Sequence, residues 1–560
     1  MQLSKSLKNI ILIELLVPIV LLSLGIYHGL MQVIYRAGVI REASVVKLNY
    51  YQGLTLHGVI NAIVLTTFFA VAFGHATMAF HLKREPNKRL AGLSMWLMLI
   101  GTLLASFAML AGKASVLYTF YPPLMAHPTF YLGAALLIVG SWVAYFSWIA
   151  MYLAWSKENP NARIPLGVLG TLVNFTIWFF CSLAVAYEVL VLLLPWSIGW
   201  TQDVNVPLCR MLFWFFGHAL VYFWLLPSYI MFYTILPKVA GGKLYSENAG
   251  RLAFLLFLIL SIPIGVHHQF GEPGFSSGTK FFQSLLTFGV AIPSLVTAFT
   301  IAASLEYVGR LNGAKSLLGW MVRLPYWDTK NYLFSYLICG LILFIFGGLT
   351  GIVNASYSLN SMIHNTAWIP GHFHMTVAGP VFLAILGMSL YMMSKLTGKP
   401  VTLPTWAVSV PYLWTLGILI FSTGLMWGGL IGEPRRTNLG LTYTNPDSPL
   451  YRPEWITTTQ LALIGGIIMT LSALVYFSVF FHTYFSKTKE TVGFMDFPEA
   501  EPLHNEPNMA LVHNIKPWFI LMIVLIFLAY IPALLDIQKY VGINAKPYNV
   551  DNPLPVENKK

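Results

Sequence analysis

Long apolar runs separated by short polar connections cover almost the whole chain. A helix of about 20 consecutive apolar residues crosses the core of a bilayer. Runs of that length number thirteen and lie near residues 10–34, 53–82, 90–112, 129–155, 167–195, 209–236, 252–269, 281–304, 331–355, 371–395, 409–432, 459–485 and 518–536. The pattern predicts an all-α polytopic membrane protein with about thirteen transmembrane helices in one bundle.

The connections between these runs predict a single domain. They are short and rich in Pro, Gly and Asn, and the longest polar one covers about residues 486–517. The first run follows Lys5 and Lys8, but it is too long for a signal peptide and lacks a small-residue cleavage site, so we expect a retained helix. Residues 1–536 are therefore expected to form one transmembrane domain, and residues 537–560 a tail on the outer side.

Composition strengthens the membrane assignment and excludes a soluble fold. The 560 residues are 57% hydrophobic and only 10% charged, against about 25% charged in soluble domains. The formal net charge of +12 is explained by basic loops facing an anionic membrane leaflet rather than by nucleic acid. The three cysteines, Cys181, Cys209 and Cys339, are isolated in apolar runs, so no disulfide framework or CxxC metal motif is present.

The distribution of basic residues predicts an orientation. Cytoplasmic loops carry an excess of Lys and Arg. The loops after the second and eighth runs are the basic ones, with Lys83, Arg84, Lys88 and Arg89 in the first and Arg310, Lys315, Arg323 and Lys330 in the second. We therefore expect the N-terminus in the cytoplasm and the C-terminal tail outside.

Six of the 14 histidines fall at one depth of the predicted bundle, although they come from four different runs. All six lie near the outer ends of their runs: His57, His218, His267, His268, His372 and His374. Polar groups inside lipid are costly unless they are paired or bind a ligand. A lone intramembrane histidine is more often a packing residue, but six at one depth predict metal sites, because neutral imidazole binds iron, copper and zinc.

The spacing of the last two histidines predicts two cofactor positions on one helix. His372 and His374 differ by about 200° around a helix, so they project from opposite sides and cannot share a metal. One helix can instead hold two planar cofactors, with Phe373 between them. His57, from another run, would then complete a six-coordinate haem iron with one of the pair.

The remaining three histidines suit a copper ion. His267 and His268 follow Pro263 and Gly265, which loosen a helix end and let adjacent side chains converge. With His218 they supply three imidazoles and leave one position open for a small ligand. Tyr222 lies four residues after His218, one turn further in on the same face.

Two polar stripes predict a proton path. Tyr222, Tyr229 and Tyr233 lie within about 40° of one helix face, and a second stripe consists of Ser294, Thr297 and Thr300. We expect the stripes to face each other and, with water, to carry protons. The alternatives are that the tyrosines only pack helices and that the hydroxyls only bond back to their own helix.

At these residues the sequence resembles subunit I of the haem-copper oxygen reductases, and within that family the B-type branch of ba-type cytochrome c oxidases. The resemblance covers nearly the whole chain. It rests on YYQGLTLHG (50–58), YTFYPPL (118–124), GHALVYFWLLP (217–227), GVHHQF (265–270), IPSLVTAFTIAAS (292–304), HNTAWIPGHFHM (364–375) and EPRR (433–436). Leu220, where A-type oxidases often carry a glutamate, supports the B-type assignment.

The resemblance implies roles for these residues. His57 and His374 would be axial ligands of a low-spin haem, b-type by resemblance, and His372 the ligand of a high-spin, a-type haem. His218, His267 and His268 would hold copper B, and Tyr222, joined covalently to His218 in the family, would supply an electron and a proton. The haem propionates would bind Arg435, Arg436 and His364, and the polar stripes would resemble the family's K-type channel.

The resemblance also implies an activity. The chain would be the catalytic subunit of a proton-translocating terminal oxidase that reduces O₂ to water. Its partners would be a subunit II with a dinuclear copper centre, a small single-helix subunit and the donor cytochrome c, in a bacterial-type inner membrane with the site near the periplasmic side. The alternatives left open are a quinol oxidase, a nitric oxide reductase, which would lack the equivalent of Tyr222, and a metal-free, colourless transporter. Glu14 and Glu188, both within apolar runs, receive no role.

Overall fold

The computed structural model describes residues 2–40, 49–488, 490–493 and 495–548, which form a bundle of long helices. Within these residues, 12 helices are long and apolar enough to cross a membrane, so the chain is a multi-span membrane protein. With one shorter helix they are, in chain order, α1 (Lys5–Arg36), α2 (Tyr50–Leu82), α3 (Lys88–Leu110), α4 (Pro128–Glu158), α5 (Leu166–Ser197), α6 (Val206–Thr234), α7 (Glu247–Leu260), α8 (Ser277–Leu311), α9 (Leu333–Ala355), α10 (Trp368–Thr397), α11 (Pro404–Leu430), α12 (Pro453–Phe485) and α13 (Ile515–Gln538).

The shorter elements lie in the connections. Two short strands, β1 (Val204–Asn205) and β2 (Asn544–Ala545), pair in an antiparallel arrangement. Among the described residues, the short helices and 3₁₀ turns of the connections are Leu236–Val239, Gly265–Gln269, Met321–Arg323, Tyr357–Ile363, Leu439–Thr442 and Ala510–His513. The division predicted at residue 536 stays a prediction, and the part of the predicted tail from residue 549 lies outside the described residues.

The predicted seventh run contains the short helix α7, which explains why twelve long helices are found rather than thirteen. This helix has 14 residues and ends at Leu260. Proline lacks the backbone N–H that a helix needs, and Pro263 falls in the turn that follows. The chain then continues as the 3₁₀ turn Gly265–Gln269, which carries His267 and His268.

Contacts between loops show that α7 nevertheless crosses the bundle. Leu244, before α7, bridges to Pro502, which lies before α13. Six helices, α7 to α12, lie between these two loops, so the loops share one side only if α7 crosses with the others. The β1–β2 pair requires the same, because eight helices, α6 to α13, separate its strands. Over the described residues the chain therefore crosses the bundle thirteen times, beginning on what we call the N-terminal side and ending on the opposite side.

Three helices contain a π-helical segment, in which an extra residue widens the turn. These segments are Val59–Val64 in α2, Glu188–Leu193 in α5 and His374–Val381 in α10. The first begins two residues after His57 and the last begins at His374. Both helices that carry predicted haem ligands are therefore irregular next to the ligand.

Glycines allow neighbouring helices to approach closely, as is usual in membranes. A Cβ on Gly101 of α3 would lie 2.5 Å from the carbonyl oxygen of Gly133 in α4, and the reverse contact is equally short. Gly417 of α11 and Gly465 of α12 likewise face backbone atoms of the partner helix. These contacts let α3 pack closely against α4 and α11 against α12.

Candidate metal centres and proton path

The rings of His57 and His374 face each other across a gap that fits one metal ion. Their centroids are 6.1 Å apart and their planes differ by 11°. Two imidazoles on opposite sides of a metal, with metal–nitrogen bonds of about 2.0–2.1 Å, have centroids about 6.3 Å apart. The observed spacing would therefore allow these two rings to hold one metal ion between them, such as a haem iron.

Hydrogen bonds fix which nitrogen of each ring is available. Nδ1 of His57 lies 2.9 Å from the carbonyl oxygen of Gly25, and Nδ1 of His374 lies 2.7 Å from that of Pro370. A backbone carbonyl only accepts, so each Nδ1 carries the proton and donates it. The neutral ring then presents an unprotonated Nε2, which is the form that binds a metal.

A cavity of about 260 Å³ surrounds these two rings. Its walls are mainly apolar, and Arg435 and Arg436 line it as well. Both arginines lie in the loop after α11, where burial and the neighbouring Arg436 lower the pKa of Arg435 to about 9. Two adjacent guanidinium groups suit an anion such as a carboxylate, so the cavity fits an apolar macrocycle with acidic substituents.

His364 lies beside the same group of cations. Burial, together with Arg435, Arg210 and Lys280, lowers the pKa of His364 to about 4. Its Nε2 is buried without a hydrogen-bond partner. The ring is therefore a neutral polar group that an added carboxylic acid or water would satisfy. Arg435 is positioned from the other side by Asn365, whose Oδ1 accepts from Nη2 at 2.7 Å.

His372 has its own second partner, on α9. Its Nδ1 is 2.8 Å from Oγ1 of Thr350, and that hydroxyl is also 2.8 Å from the carbonyl oxygen of Gly347. Since Thr350 donates its one proton to Gly347, it accepts from Nδ1–H of His372. Nε2 of His372 is thereby left unprotonated and available as a ligand.

His218, His267 and His268 form the predicted cluster of three imidazoles. One nitrogen from each ring can be chosen so that all three lie within 4.8 Å of one another. Nδ1 of His218 is 3.0 Å from Nε2 of His268. His267 donates from Nδ1 to Thr287 at 3.2 Å, because Thr287 donates its own proton to Gln283. The donor set and its spacing fit one copper ion.

The ring of His218 leaves one nitrogen without a partner. With Nδ1 turned to His268, its Nε2 is buried and has no hydrogen bond. Tyr222 is the neighbouring ring, with centroids 4.9 Å apart. Trp214 stacks on His268 at 3.8 Å and holds the third ring in place.

The two polar stripes lie against each other. Tyr229 donates to Ser294 at 3.2 Å and Tyr233 to Thr297 at 2.8 Å, which joins α6 to α8. Thr297 also bonds back to Pro293, and Thr300 bonds back to Val296. Thr300 has no hydrogen bond to a tyrosine among the described contacts, so it extends the stripe towards the N-terminal side without joining it directly.

Sequence reasoning missed the residues that orient the ligands. Thr350, Thr287 and the carbonyl of Gly25 act through hydrogen bonds between distant helices, which no local spacing reveals. Glu433 was also missed: its carboxylate is fully buried and pairs with Arg36 of α1. The EPRR motif that contains Glu433 was the one signal that pointed to it.

A polytopic helical protein with paired imidazoles for haem and a triad for copper belongs to the class of membrane haem-copper enzymes. Residues 9–468 match the family described as cytochrome c and quinol oxidase polypeptide I. The chain is 42% identical to cytochrome c oxidase subunit 1 of Thermus thermophilus over 505 residues, which cover 89% of this chain and 88% of that protein. The chain therefore belongs to this family of oxidase subunits I, and the B-type branch is consistent with this similarity.

Other relatives agree with this placement. Quinol oxidase subunit 1 of Bacillus subtilis is 23% identical, over 80% of this chain and 67% of that protein. A cryo-EM structure of a heme-copper terminal oxidase dimer superposes with a TM-score of 0.95 at 49% identity, and the match covers 100% of this chain and 97% of the other. The fold is thus that of a haem-copper oxidase subunit I.

Proposed function

We propose that the chain is the catalytic subunit of a terminal oxidase, a cytochrome c oxidase that reduces O₂ to water and moves protons across the membrane. One observation carries the proposal: a triad of imidazoles lies beside Tyr222 in the same bundle as the parallel pair His57 and His374. The relatives named cytochrome c oxidase subunit 1 support the same reaction.

Each set of residues has a proposed cofactor. His57 and His374 would hold a low-spin haem, b-type in this assignment, and His372 would hold a high-spin, a-type haem. His218, His267 and His268 hold copper B, and Arg435, Arg436 and His364 bind haem propionates. When bound, the haems supply electron transfer, and the high-spin haem with copper supplies the place where O₂ is bound and reduced.

The protein's own groups orient ligands and move protons. The Nδ1–H bonds to Gly25, Pro370 and Thr350 keep each Nε2 directed at a metal. Tyr222 delivers the proton of its phenol next to the copper triad. Its ring centroid lies 4.9 Å from that of His218, and this proximity suits the Tyr–His crosslink of the family.

Protons reach Tyr222 from the N-terminal side through the tyrosine stripe. Tyr233 and Tyr229 pass protons by way of Thr297 and Ser294, with water between Tyr229 and Tyr222, which are separated by about 10 Å along α6. Thr300 lies at the entrance. Tyrosines whose hydroxyl both donates and accepts can relay a proton without carrying a charge.

Membership of the oxidase family supports the assembly that we propose for this chain. A subunit II with a dinuclear copper centre receives electrons from cytochrome c, and a small single-helix subunit completes the complex. The N-terminal side faces the cytoplasm of a bacterial-type inner membrane, and the metal sites lie near the periplasmic side. A quinol donor is the alternative that the test below separates.

One purified sample tests the proposal. We expect two haem signals in oxidised and reduced optical spectra, only one of which responds to carbon monoxide, since only the high-spin haem has an open position. Subunit I alone should contain two iron atoms per copper, and reduced cytochrome c should support O₂ consumption by the complex of subunit I with subunit II. Turnover with quinol but not cytochrome c would contradict the donor, and a colourless protein would contradict the whole proposal.

A further inference from the structure

A buried carboxylic acid in the N-terminal-side half of the bundle has no part in the function proposed above. Glu14 lies about 14 Å along α1 from its start. Its side chain is fully buried, and neither carboxylate oxygen has a hydrogen-bond partner. Ionisable groups inside membrane segments are costly and mark functional sites, so the surroundings of Glu14 are informative.

The basic group nearest to Glu14 is His75 of α2. Oε1 of Glu14 is 3.8 Å from Nε2 of His75, and both side chains are completely buried. Among the described residues, His75 is the only basic side chain within ion-pair distance of Glu14. The two residues are separated by 61 positions in the chain, so their pairing is a property of the fold and not of a motif.

Trp148 of α4 decides which nitrogen of His75 carries the proton. Its indole Nε1 donates to Nδ1 of His75 at 3.0 Å. An indole N–H can only donate, so Nδ1 must be unprotonated. The indole cannot turn away, because its ring packs directly against Gly74 and is fully buried. His75 is therefore a neutral imidazole with its proton on Nε2, directed at Glu14.

This arrangement excludes an ion pair between the two residues. An imidazolium ion would need protons on both nitrogens, and the bond from Trp148 leaves no place for the second. A single neutral donor does not offset the cost of a bare carboxylate in an apolar interior. The acidic proton consequently stays on Glu14.

We propose that Glu14, His75 and Trp148 form a proton-binding site, in which Glu14 carries the proton and the Nε2–H group of His75 faces its carboxyl oxygen across 3.8 Å. The ligand is a single proton, which the O–H bond of the carboxylic acid holds, and no other bond is made or broken. The site is separate from the metal ligands, since His75 lies 18 residues beyond His57 on α2, about 27 Å along the helix.

Infrared spectroscopy of the assembled oxidase in bilayers tests this site. Protonated carboxyl groups have a C=O stretch that carboxylates lack, and an N–H dipole directed at the carbonyl oxygen lowers its frequency. We expect one such band to disappear in Glu14→Gln. In His75→Phe the same band should remain and move to higher frequency, because the N–H dipole that faces the carboxyl oxygen is gone.

The Trp148→Phe variant tests the tautomer. Without the indole donor, Nδ1 of His75 is free to take a proton, so an ion pair with Glu14 forms and the carboxylic acid band is lost. A band that persists unchanged in this variant would overturn the assignment. A band that survives Glu14→Gln, or that ignores His75→Phe, would also overturn it.

Glu188→Gln is the matched control. Glu188 is equally buried with both oxygens unpartnered, so its loss should leave the Glu14 band and its response to His75→Phe intact. Haem spectra and O₂ turnover recorded on the same samples report folding and the proposed oxidase function separately. If Glu14→Gln does not assemble, the band shift in His75→Phe still decides the question.

Discussion

Gly29 is the position where the smallest change should damage the low-spin haem site. A Cβ added to Gly29 of α1 would lie 2.7 Å from Cε1 and 2.8 Å from Nδ1 of His57. Carbon atoms in contact need about 3.5–4.0 Å. The imidazole would therefore have to move by about 1 Å in Gly29→Ala.

A movement of that size exceeds what the ligand geometry tolerates. Metal–ligand distances stay within about 0.2 Å of their preferred values. The ring is also fixed by its 2.9 Å bond to Gly25 and by its position 6.1 Å from His374. Helix stability does not oppose the change, since alanine is favoured over glycine in a helix by about 1 kcal/mol. We expect a folded protein that has lost bis-histidine ligation.

The assay is the reduced optical spectrum of purified protein, together with the midpoint potential of the low-spin haem. Gly92→Ala is the control, because nothing lies within 4 Å of a Cβ at that helical position. We expect Gly92→Ala to keep both haem signals and Gly29→Ala to lose the low-spin signal. Gly29→Ala with unchanged haem content and potential would refute the axial role given to His57.

Three further changes test other parts of the site. Tyr233→Phe combined with Thr297→Val removes the 2.8 Å hydrogen bond between the polar stripes. This double variant should slow O₂ turnover by at least about tenfold while both haem spectra stay normal. Full turnover would place the proton path elsewhere. Glu433→Gln leaves the buried Arg36 without its carboxylate partner and should lower the free energy of unfolding by about 3–5 kcal/mol. The measurement is loss of haem absorbance at a lower temperature. Glu158→Gln, which breaks an exposed ion pair, should leave that temperature unchanged. The pKa of His364 is lowered from 6.5 to about 4 in the folded protein, so as the pH falls the unfolded chain is protonated at this residue before the folded chain. The stability that His364 contributes is therefore present above pH 6.5 and is lost as the pH falls towards 4. His364→Gln should therefore flatten the decline of melting temperature in that window, and an unchanged decline would contradict this.

The sequence predicted the positions of the helices and the types of metal ligand better than it predicted how the ligand side chains are oriented. Runs of apolar residues locate the helices, and histidines at matching ends of four runs must meet once the helices are bundled. The polar stripes of α6 and α8 follow from helical periodicity alone. No local pattern, however, specifies that Thr350 accepts from His372 or that Gly29 makes room for His57.

The sequence also did not predict where the backbone departs from regular α-helix. Pro263 indicated a weak helix end, but the short α7 and its 3₁₀ turn depend on packing against α6 and α13. The pairing of Glu14 with His75 likewise arises only when α1, α2 and α4 come together. In each case the decisive contact joins residues far apart in the chain, where periodicity carries no information.

The π-helical segments beside His57 and His374 have a consequence for how this protein can change. One inserted residue rotates the rest of the helix by about 100° about its axis. In α2 and α10, the direction in which the ligand-bearing part faces is therefore independent of the direction in which the deeper part faces. Substitutions in the deeper part can then accumulate without turning the imidazole. Deleting a single residue from Val59–Val64 would rotate the part that carries His57 relative to the deeper part of α2. The π-helical turn thus separates the end of the helix that carries the ligand, whose orientation is constrained, from the deeper end, whose sequence can vary.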